Sequence, residues 1–357
     1  MEYVLVCNAC GKMAAPGSFK CTKCGSVLEV KYKYSKAYRS KGGKGILRYS
    51  QLLPSGKLVS LKEGQTPLRR LKMHGALVLA KIESGNPTNT FKDRGSAVEI
   101  SKALEARASR ICAASTGNMG LSLAHYARKF GLGCTIFMGK GSNGKKVRKI
   151  KNEGAEVRYV NGDFNTALKA AEKQSLKDKS FLCGDYHFRK EGQKTIAFEI
   201  AEQCKGKMPE YLFMPVGNGT LFSGVCKGFK EFMRYGLIDK PPRLVAVQSY
   251  GCDPVVRAYA SGTNVRYVRP RTKADAIAVG YPTFGREVLD SIRFTKGSAV
   301  GVSESEISKA MALLARQGVS AELGAATGMA GFLKMSGELK GRSVAVVVTG
   351  NNEERLN

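Results

Sequence analysis

One lysine, Lys92, stands in a stretch whose residue types could carry out chemistry: Asn86-Pro87-Thr88-Asn89-Thr90-Phe91-Lys92-Asp93-Arg94-Gly95. The apolar run Leu77–Ile82 before it predicts a buried strand, and Ser96–Ala108 after it has the spacing of a helix. Open α/β sheets bind ligands at such strand-to-helix junctions. Phe91 would keep the lysine amine partly desolvated, which lowers its pKa and lets the neutral amine form a Schiff base with a carbonyl. The stretch alone leaves open that Lys92 is one more surface lysine of a basic chain.

Four cysteines near the N-terminus form two Cys-x2-Cys pairs separated by ten residues: Cys7, Cys10, Cys21 and Cys24. A glycine follows the second cysteine of each pair, so each pair predicts a tight turn that offers two thiolates. The spacing predicts a tetrahedral zinc site. Because four thiolates leave no position open for a substrate, the zinc would be structural. Two disulfides or free thiols are the alternative, which an intracellular location disfavours.

Three further stretches accompany the lysine stretch: Ser60–Leu68 (SLKEGQTPL), Ser115–Asn118 (STGN) and Arg189–Thr195 (RKEGQKT). Together, and in this order, the four stretches resemble the threonine synthase branch of the fold-type-II pyridoxal-phosphate enzymes, and the resemblance covers nearly the whole chain. It implies a tryptophan synthase β-like α/β fold with two open parallel-sheet domains and an N-terminal zinc ribbon. The implied activity is that of a pyridoxal-phosphate dependent lyase, converting O-phospho-L-homoserine and water to L-threonine and phosphate.

The resemblance also implies a role for individual residues. Lys92 would hold the cofactor and then act as the general base at the substrate's Cα and Cβ. Asn118 would hydrogen-bond the cofactor's O3′, and Thr349, after the last strand, would meet its ring nitrogen. The full implied set of cofactor-binding residues is Lys92, Phe91, Asn118, Gly217, Asn218, Gly219, Thr220 and Thr349.

The segment Gly217–Thr220 has the features of a phosphate cradle from its residues alone. It follows an apolar run and precedes a helical pattern, and its two glycines would let backbone amides approach an anion at a helix N-terminus. A plain turn explains a lone Gly-x-Gly equally well. The segment stands where the family resembled here has its phosphate loop, which favours the cradle.

The implied substrate-binding residues are Ser115 and Thr116 for the α-carboxylate and Arg189 for the phosphate. Two positions depart from the family pattern. Met119 stands where the family usually has a threonine, and Cys183-Gly184 stands where it tends to have Asn-Ser. A thioether donates no hydrogen bond. Two related activities therefore stay open: a β-replacing synthase that makes cysteate or cysteine from phosphoserine, and a threonine/serine dehydratase.

The composition gives a net charge of +29, from 58 basic and 29 acidic residues among 357. The basic residues are scattered, whereas a nucleic-acid footprint is a patch or stripe, so nucleic-acid binding is disfavoured. A zinc-ribbon nucleic-acid binder with a decayed lysine site remains the alternative from another class. No apolar run is long enough for a membrane span, and no secretory signal is present. We expect a cytoplasmic enzyme, and the family resembled here is commonly a homodimer.

Alternating strand and helix patterns must position these residues. The predicted strands are 77–82, 110–114, 134–138, 156–160, 211–216, 244–248 and 343–349. The predicted helices are 96–108, 119–130, 143–153, 165–177, 191–204, 220–235, 303–316 and 322–337. This alternation favours parallel sheets covered by helices. The resemblance implies a zinc ribbon at 1–34, a large cofactor-binding domain at 35–94 and 182–357, and a small domain at 95–181, with the cofactor in the cleft between these two domains.

Overall fold

The computed structural model describes residues 2–34, 38, 42–73, 76–115, 117–140, 144–162 and 164–351. The chain forms two compact units. Unit 1 comprises Met1–Glu63 and Lys92–Gln193, and unit 2 comprises Gly64–Phe91 and Lys194–Asn357. Among the described residues, no helix is both long enough and apolar enough to cross a lipid bilayer.

Helices and strands alternate through most of the chain. The strands are β1 (Tyr3–Cys7), β2 (Met13–Ala14), β3 (Leu28–Tyr32), β4 (Leu68–Met73), β5 (Ala76–Ile82), β6 (Arg110–Ala114), β7 (Gly133–Gly139), β8 (Glu156–Val160), β9 (Phe181–Leu182), β10 (Tyr211–Pro215), β11 (Arg243–Ser249), β12 (Ser298–Val302) and β13 (Val344–Val348). The α-helices are α1 (Lys92–Glu105), α2 (Asn118–Lys129), α3 (Gly144–Asn152), α4 (Phe164–Asp178), α5 (His187–Gln193), α6 (Thr195–Gln203), α7 (Thr220–Arg234), α8 (Pro254–Ser261), α9 (Gly285–Thr295), α10 (Glu304–Arg316) and α11 (Leu323–Met335). Short 3₁₀ helices lie at Gly45–Leu52, Glu83–Gly85 and Asp275–Ile277.

Unit 1 contains a four-stranded parallel sheet with the strand order β8-β7-β6-β9. Its central strand β6 is apolar and buried after its first residue, Arg110, as expected for a strand covered on both faces. The N-terminal strands form a separate antiparallel sheet with the order β2-β1-β3. Apolar residues of β1 and β3 share one buried cluster with residues of α1 and α2. The N-terminal sheet is thus part of the unit 1 core.

Helix α5 holds the N-terminal sheet in place within unit 1. The Tyr3 and Phe188 rings meet edge to face, with their centroids 6.1 Å apart. The Tyr32 hydroxyl donates a hydrogen bond to Glu191 at 2.5 Å. Lys190 forms a buried ion pair with Glu29. The strands β1 and β3 are therefore connected to the helix that carries Arg189 by an aromatic pair, a hydrogen bond and an ion pair.

Glycines allow α1 and α5 to pack closely. A Cβ on Gly192 of α5 would lie 1.9 Å from the carbonyl oxygen of Arg94, and one on Gly95 of α1 would lie 2.7 Å from Cγ of Arg189. No side chain fits at such distances. The two glycines therefore set how closely the lysine-bearing helix approaches α5.

Unit 2 contains a six-stranded sheet with the order β12-β11-β10-β13-β5-β4. All neighbours pair in parallel except β4, which pairs antiparallel with β5 at one edge. The central strand β13 is a run of valines and alanine that is buried throughout. Helix α11 packs on β10, β11 and β13 and is buried through most of its length. This sheet gives unit 2 its own apolar core.

The parallel-sheet α/β fold expected from the sequence is confirmed, and all seven predicted strands are present. All eight predicted helical segments are present too, but 191–204 divides into parts of α5 and α6, and α1 begins at Lys92 rather than Ser96. Strands β1, β2 and β3 lie in the segment predicted as a zinc ribbon, and the sequence missed β4, β9, β12, α8 and α9, of which β9 is only two residues long. Two residues are too few to show a period.

The two compact units divide the chain differently from the predicted domains. Three boundaries separate the units, and the first lies between Glu63 and Gly64. The second lies between Phe91 and Lys92, where the sequence analysis placed one after residue 94, because α1 begins at Lys92 and belongs wholly to unit 1. The third lies between Gln193 and Lys194, where the sequence analysis placed one after residue 181, because α5 packs on α1. Residues 1–34, the predicted zinc ribbon, cluster with unit 1, as do the described residues of 35–63, which were predicted to belong to the large domain.

Candidate active site

Lys92 is the first residue of α1 and is half-buried. Its backbone carbonyl accepts a hydrogen bond from Nη1 of Arg189 at 3.2 Å. Phe91, directly before it, is also half-buried, and its backbone N–H donates to the Thr349 carbonyl at 3.0 Å. Hydrogen bonds therefore hold the backbone at both Phe91 and Lys92.

A short antiparallel ladder in unit 2 holds the chain just before Lys92. Thr90 bridges Gly350, and the backbone N–H of Asn351 donates to the Asn89 carbonyl at 3.0 Å. A Cβ on Gly350 would lie 2.7 Å from that same carbonyl oxygen, so the ladder requires glycine there. Thr349 itself is 6% exposed and follows β13. The structure thus brings Phe91 and Thr349, two predicted site residues, to one place.

Arg189 lies on α5 and is fully buried. Its Nε donates to the Gly184 carbonyl at 3.2 Å, its Nη1 to Lys92, and its Nη2 to the Ser96 hydroxyl at 3.4 Å. Its Nη2 also forms an ion pair with Glu99, whose side chain is 2% exposed. All three guanidinium nitrogens therefore have acceptors within unit 1. The sequence analysis missed Glu99, since nothing local marks a glutamate in a helical pattern as the partner of a residue 90 positions away.

Burial raises the pKa of Glu99 to about 7, although the Arg189 guanidinium and the Gly184 N–H act in the opposite direction. The Gly184 N–H donates to Oε1 of Glu99 at 2.7 Å. Cys183, at the other departure from the family pattern, is fully buried, and burial holds the pKa of its thiol well above the usual range. Cys183 is therefore a neutral core residue rather than a nucleophile.

The loop after β6 carries the predicted carboxylate site. Ser115 is buried, and its hydroxyl oxygen accepts the backbone N–H of Gly120 at 2.9 Å, which caps the first turn of α2. Its own proton remains available to a ligand. Asn118 begins α2 and is half-buried, whereas Thr116 lies outside the described residues. Met119, the next residue of α2, is buried in the unit 1 cluster.

Lys146 of α3 is a basic residue near this loop that the sequence analysis did not single out. Its Nζ lies 3.8 Å from the position that a Cβ on Gly117 would occupy. The N-terminus of α2 begins at the next residue, so an ammonium group and a helix N-terminus lie together. The sequence shows that α3 is rich in lysine and arginine, but which of these residues lies near Gly117 depends on tertiary packing.

The predicted phosphate loop lies between β10 and α7 in unit 2. Gly219 has φ +86° and is the N-cap of α7, and a Cβ there would lie 2.8 Å from Cγ2 of Val288. A Cβ on Gly217 would lie 3.1 Å from Cα of Ile277. Thr220 is the first residue of α7 and is buried. Glycine is thus required at 219, and a side chain at 217 would be tightly packed. The first N–H groups of α7 have no acceptor within the helix.

Asn218, between the two glycines, holds the neighbouring segment of unit 2. Its side-chain oxygen accepts the backbone N–H of Thr283 at 2.6 Å, and its carbonyl accepts that of Phe284 at 3.0 Å. These contacts fix the shape of the loop. They are consistent with a supporting role for the Asn218 side chain and leave the backbone of the loop to contact an anion.

Asp93 and Arg94, the two residues that follow Lys92, are both buried in unit 1. The Ser122 hydroxyl of α2 donates to Oδ1 of Asp93 at 2.5 Å. In a second buried contact, the Tyr126 hydroxyl donates to Oε2 of Glu63 at 2.6 Å. Burial raises the pKa of Glu63 to about 7, against the opposing effect of the Tyr126 hydroxyl.

The raised pKa of Glu63 predicts a pH-dependent stability. The folded chain holds the Glu63 proton up to about pH 7, whereas the unfolded chain releases it near 4.5, so the folded state binds more protons between these values. The free energy of unfolding should therefore fall by about 3 kcal/mol as pH rises through this window. Glu63→Gln should make the free energy of unfolding, measured in urea between pH 5 and 8, fall less steeply with pH.

The control is Glu156→Gln. Glu156 is exposed, and its hydrogen bond with Arg158 lowers its pKa, so it is ionised in both states above pH 5. The slope of this variant should equal that of the unmodified protein. If the stability of Glu63→Gln changed with pH as steeply as that of the unmodified protein, Glu63 would be ionised in the folded state.

The four N-terminal cysteines converge in unit 1. Their Sγ atoms all lie within 4.8 Å of one another, with Cys7–Cys24 at 3.4 Å, Cys10–Cys21 at 3.6 Å and Cys10–Cys24 at 3.7 Å. Sulfurs placed about 2.3 Å from a central tetrahedral ion would lie about 3.8 Å apart. The thiol positions therefore match the dimensions of such a site.

Comparison with known proteins identifies the family. Residues 59–350 match the family described as pyridoxal-phosphate dependent enzyme. A threonine synthase of Methanocaldococcus jannaschii is 36% identical over 350 residues, covering 92% of this chain and 86% of that protein. The threonine synthases of Methanosarcina acetivorans (34% identical; 93% and 87% covered) and Mycobacterium tuberculosis (35% identical; 86% and 87% covered) are also similar. The chain belongs to the threonine synthase family of pyridoxal-phosphate dependent lyases.

Solved structures of pyridoxal-phosphate enzymes share the fold of this family member. A threonine deaminase from Solanum lycopersicum has a TM-score of 0.69 at 23% identity, covering 81% of this chain and 84% of that one. A serine racemase from Dictyostelium discoideum has a TM-score of 0.69 at 22% identity, covering 81% and 93%.

The residues present fit the family's cofactor. Gly217 and Gly219 form a loop that a Cβ would disrupt, and the N-terminus of α7 follows it, which suits a phosphate group. Lys92 has a side-chain amine of the kind that a pyridoxal carbonyl requires.

Proposed function

We propose that the chain converts O-phospho-L-homoserine and water to L-threonine and phosphate. The observation that carries the proposal is the similarity to threonine synthases over about nine-tenths of the chain, with Lys92 at the start of α1. Pyridoxal phosphate supplies an electron sink for the electrons released at the substrate's Cα.

In this proposal Lys92 is the catalytic residue. Its amine holds the cofactor and then moves protons at Cα and Cβ of the substrate. The backbone of Gly217–Gly219 and the Thr220 hydroxyl bind the cofactor's phosphate, with Asn218 shaping the loop. Asn118 bonds the cofactor's O3′, Thr349 meets the ring nitrogen, and Phe91 packs beside the lysine. A neutral hydroxyl at the ring nitrogen would moderate the electron sink, since it cannot pair with a full positive charge as a carboxylate does.

The substrate contacts complete the proposal. Ser115, with Thr116 and the amides at the N-terminus of α2, binds the α-carboxylate, because this helix end offers N–H donors and the Ser115 proton. Arg189 binds the substrate's phosphate. A cytoplasmic homodimer is the form that we propose for the enzyme.

A second candidate activity follows from the phosphate-binding positions. Met119 is a buried thioether and Cys183 a buried neutral thiol, so neither donates well to a phosphate. A β-replacing synthase acting on phosphoserine, or a threonine/serine dehydratase, would use the same lysine and cofactor loop with another substrate.

The test follows phosphate and amino-acid product together in cofactor-loaded protein given O-phospho-L-homoserine. Phosphate with equimolar threonine supports the proposal. A coloured, cofactor-bound protein that releases no phosphate rejects it, and phosphoserine, serine and threonine then become the substrates to assay, with keto-acid formation marking a dehydratase.

We also propose that Cys7, Cys10, Cys21 and Cys24 bind a structural zinc ion. The proposal is supported by the separations of their Sγ atoms, which match a tetrahedral thiolate site. The zinc would stabilise the β1–β3 sheet, whose outer strand β2 has only two residues and buries little apolar surface.

Removal of zinc by a strong chelator should lower the midpoint of thermal unfolding and leave kcat within about twofold, because the cysteines lie outside the proposed chemistry. The measurement is calorimetry with metal analysis before and after chelation. Cys204→Ser, which alters a thiol of unit 2 outside the cluster, is the control and should bind the metal normally. An unchanged midpoint in metal-free protein would contradict a structural zinc.

A further inference from the structure

Glu99 occupies the position on Arg189 that an anionic ligand would need. A guanidinium binds a phosphate through a fork of two nitrogens, either Nη1 with Nη2 or Nε with Nη2. Both forks use Nη2, and in this structure Nη2 is paired with Glu99. The remaining nitrogens donate to the carbonyls of Gly184 and Lys92.

The packing of unit 1 builds this arrangement from three elements. Lys92, Ser96 and Glu99 are spaced i, i+4 and i+7 on α1, so they share one face of the helix. Arg189 lies across that face, because Gly95 has no side chain to exclude its stem. The Gly184 N–H donates to Glu99 from the loop before α5.

The charge balance makes Glu99 and a phosphate competitors. Above the raised pKa of Glu99, about 7, its carboxylate forms a neutral pair with the guanidinium, with side chains 2% and 0% exposed. A phosphate of charge about −2 added to this pair would place excess negative charge in a buried site. At an effective dielectric constant of 20, two unit charges 4 Å apart repel by about 4 kcal/mol. A phosphate can therefore bind Arg189 well only when Glu99 turns away or loses its charge.

We propose that Glu99 is a specificity-determining residue that competes with the substrate's phosphate for Arg189. This inference rests on the proposed phosphate-binding role of Arg189. Glu99 lowers the affinity of the site for phosphate groups in general, so that a substrate must supply the compensating contacts elsewhere, and free phosphate is released readily.

The experiment titrates inorganic phosphate into the cofactor-loaded enzyme and its Glu99→Gln variant by isothermal calorimetry at about pH 8, where Glu99 is ionised. Glu99→Gln retains the side-chain length but removes the charge, and the Kd for phosphate should fall at least about tenfold. The matched control is Glu105→Gln, at the last residue of α1, where Glu105 pairs with Lys102 instead of Arg189. The control should bind phosphate as the unmodified enzyme does.

An unchanged Kd in Glu99→Gln, or no phosphate binding in either protein, would overturn the proposal. Removing one partner of a buried pair can impair folding. A crystal structure of the unmodified enzyme with inorganic phosphate therefore provides a second test. Phosphate on Arg189 with the Glu99 pair broken supports the inference, and phosphate bound elsewhere with the pair intact rejects it. Neither measurement requires turnover, so a failure of the threonine synthase proposal would be seen separately, in the product assay.

Discussion

Replacement of Lys92 by alanine is expected to reduce kcat with O-phospho-L-homoserine by at least about 10³-fold. The variant loses both the amine that holds the cofactor and the base that moves protons at Cα and Cβ. It should also lose the visible colour of the lysine-bound cofactor and its covalent capture by borohydride. Because Lys92 is half-buried at the start of α1 and its backbone carries the contact with Arg189, the fold should remain intact.

Lys102→Ala is the matched control for Lys92→Ala. Lys102 lies on the same helix and pairs with Glu105, so its loss removes a positive charge from α1 without touching the proposed chemistry. This control should keep the colour and most of the activity. A borohydride-reducible cofactor in Lys92→Ala would assign the covalent link to another lysine.

Replacement of Gly192 by alanine should destabilise the folded chain by about 3 kcal/mol or more. The new Cβ would lie 1.9 Å from the carbonyl oxygen of Arg94 and 2.8 Å from Cα of Gly95, and both atoms belong to the backbone of α1. Backbone atoms cannot move aside as a flexible side chain can, so α1 and α5 must separate. Urea unfolding measures the loss.

Separation of α1 and α5 would also disturb Arg189, which lies on α5 and contacts Lys92 and Glu99 of α1. We therefore expect reduced activity in Gly192→Ala even where the protein remains folded. Gly337→Ala is the control, since a Cβ there meets no atom within 4 Å and φ is not positive. It should change stability by less than about 0.5 kcal/mol. Equal stability of the two variants would mean that the helices do not pack as closely as described.

Local patterns in the sequence predicted most of the fold. Six of the seven predicted strands are compact apolar runs that form the inner strands of the two large sheets, and the seventh, β8, is an edge strand with charged residues at two of its five positions. The edge strand β4 was missed because it carries charged residues at three of its six positions, as exposed edge strands often do. The start of α1 was placed four residues late because Lys92–Gly95 is polar, although Asp93 and Arg94 are in fact buried.

The sequence by itself singled out Lys92, the Gly217–Thr220 loop and the cysteine pairs as candidate site residues, because these are continuous motifs whose chemistry depends on local spacing. Only the tertiary structure decided what these residues contact. Glu99 reaches Arg189, Lys146 approaches Gly117, and Phe91 pairs with Thr349. Each contact joins positions far apart in the chain, and helix packing or strand order sets it. Local sequence periodicity does not specify how helices pack or in which order strands pair.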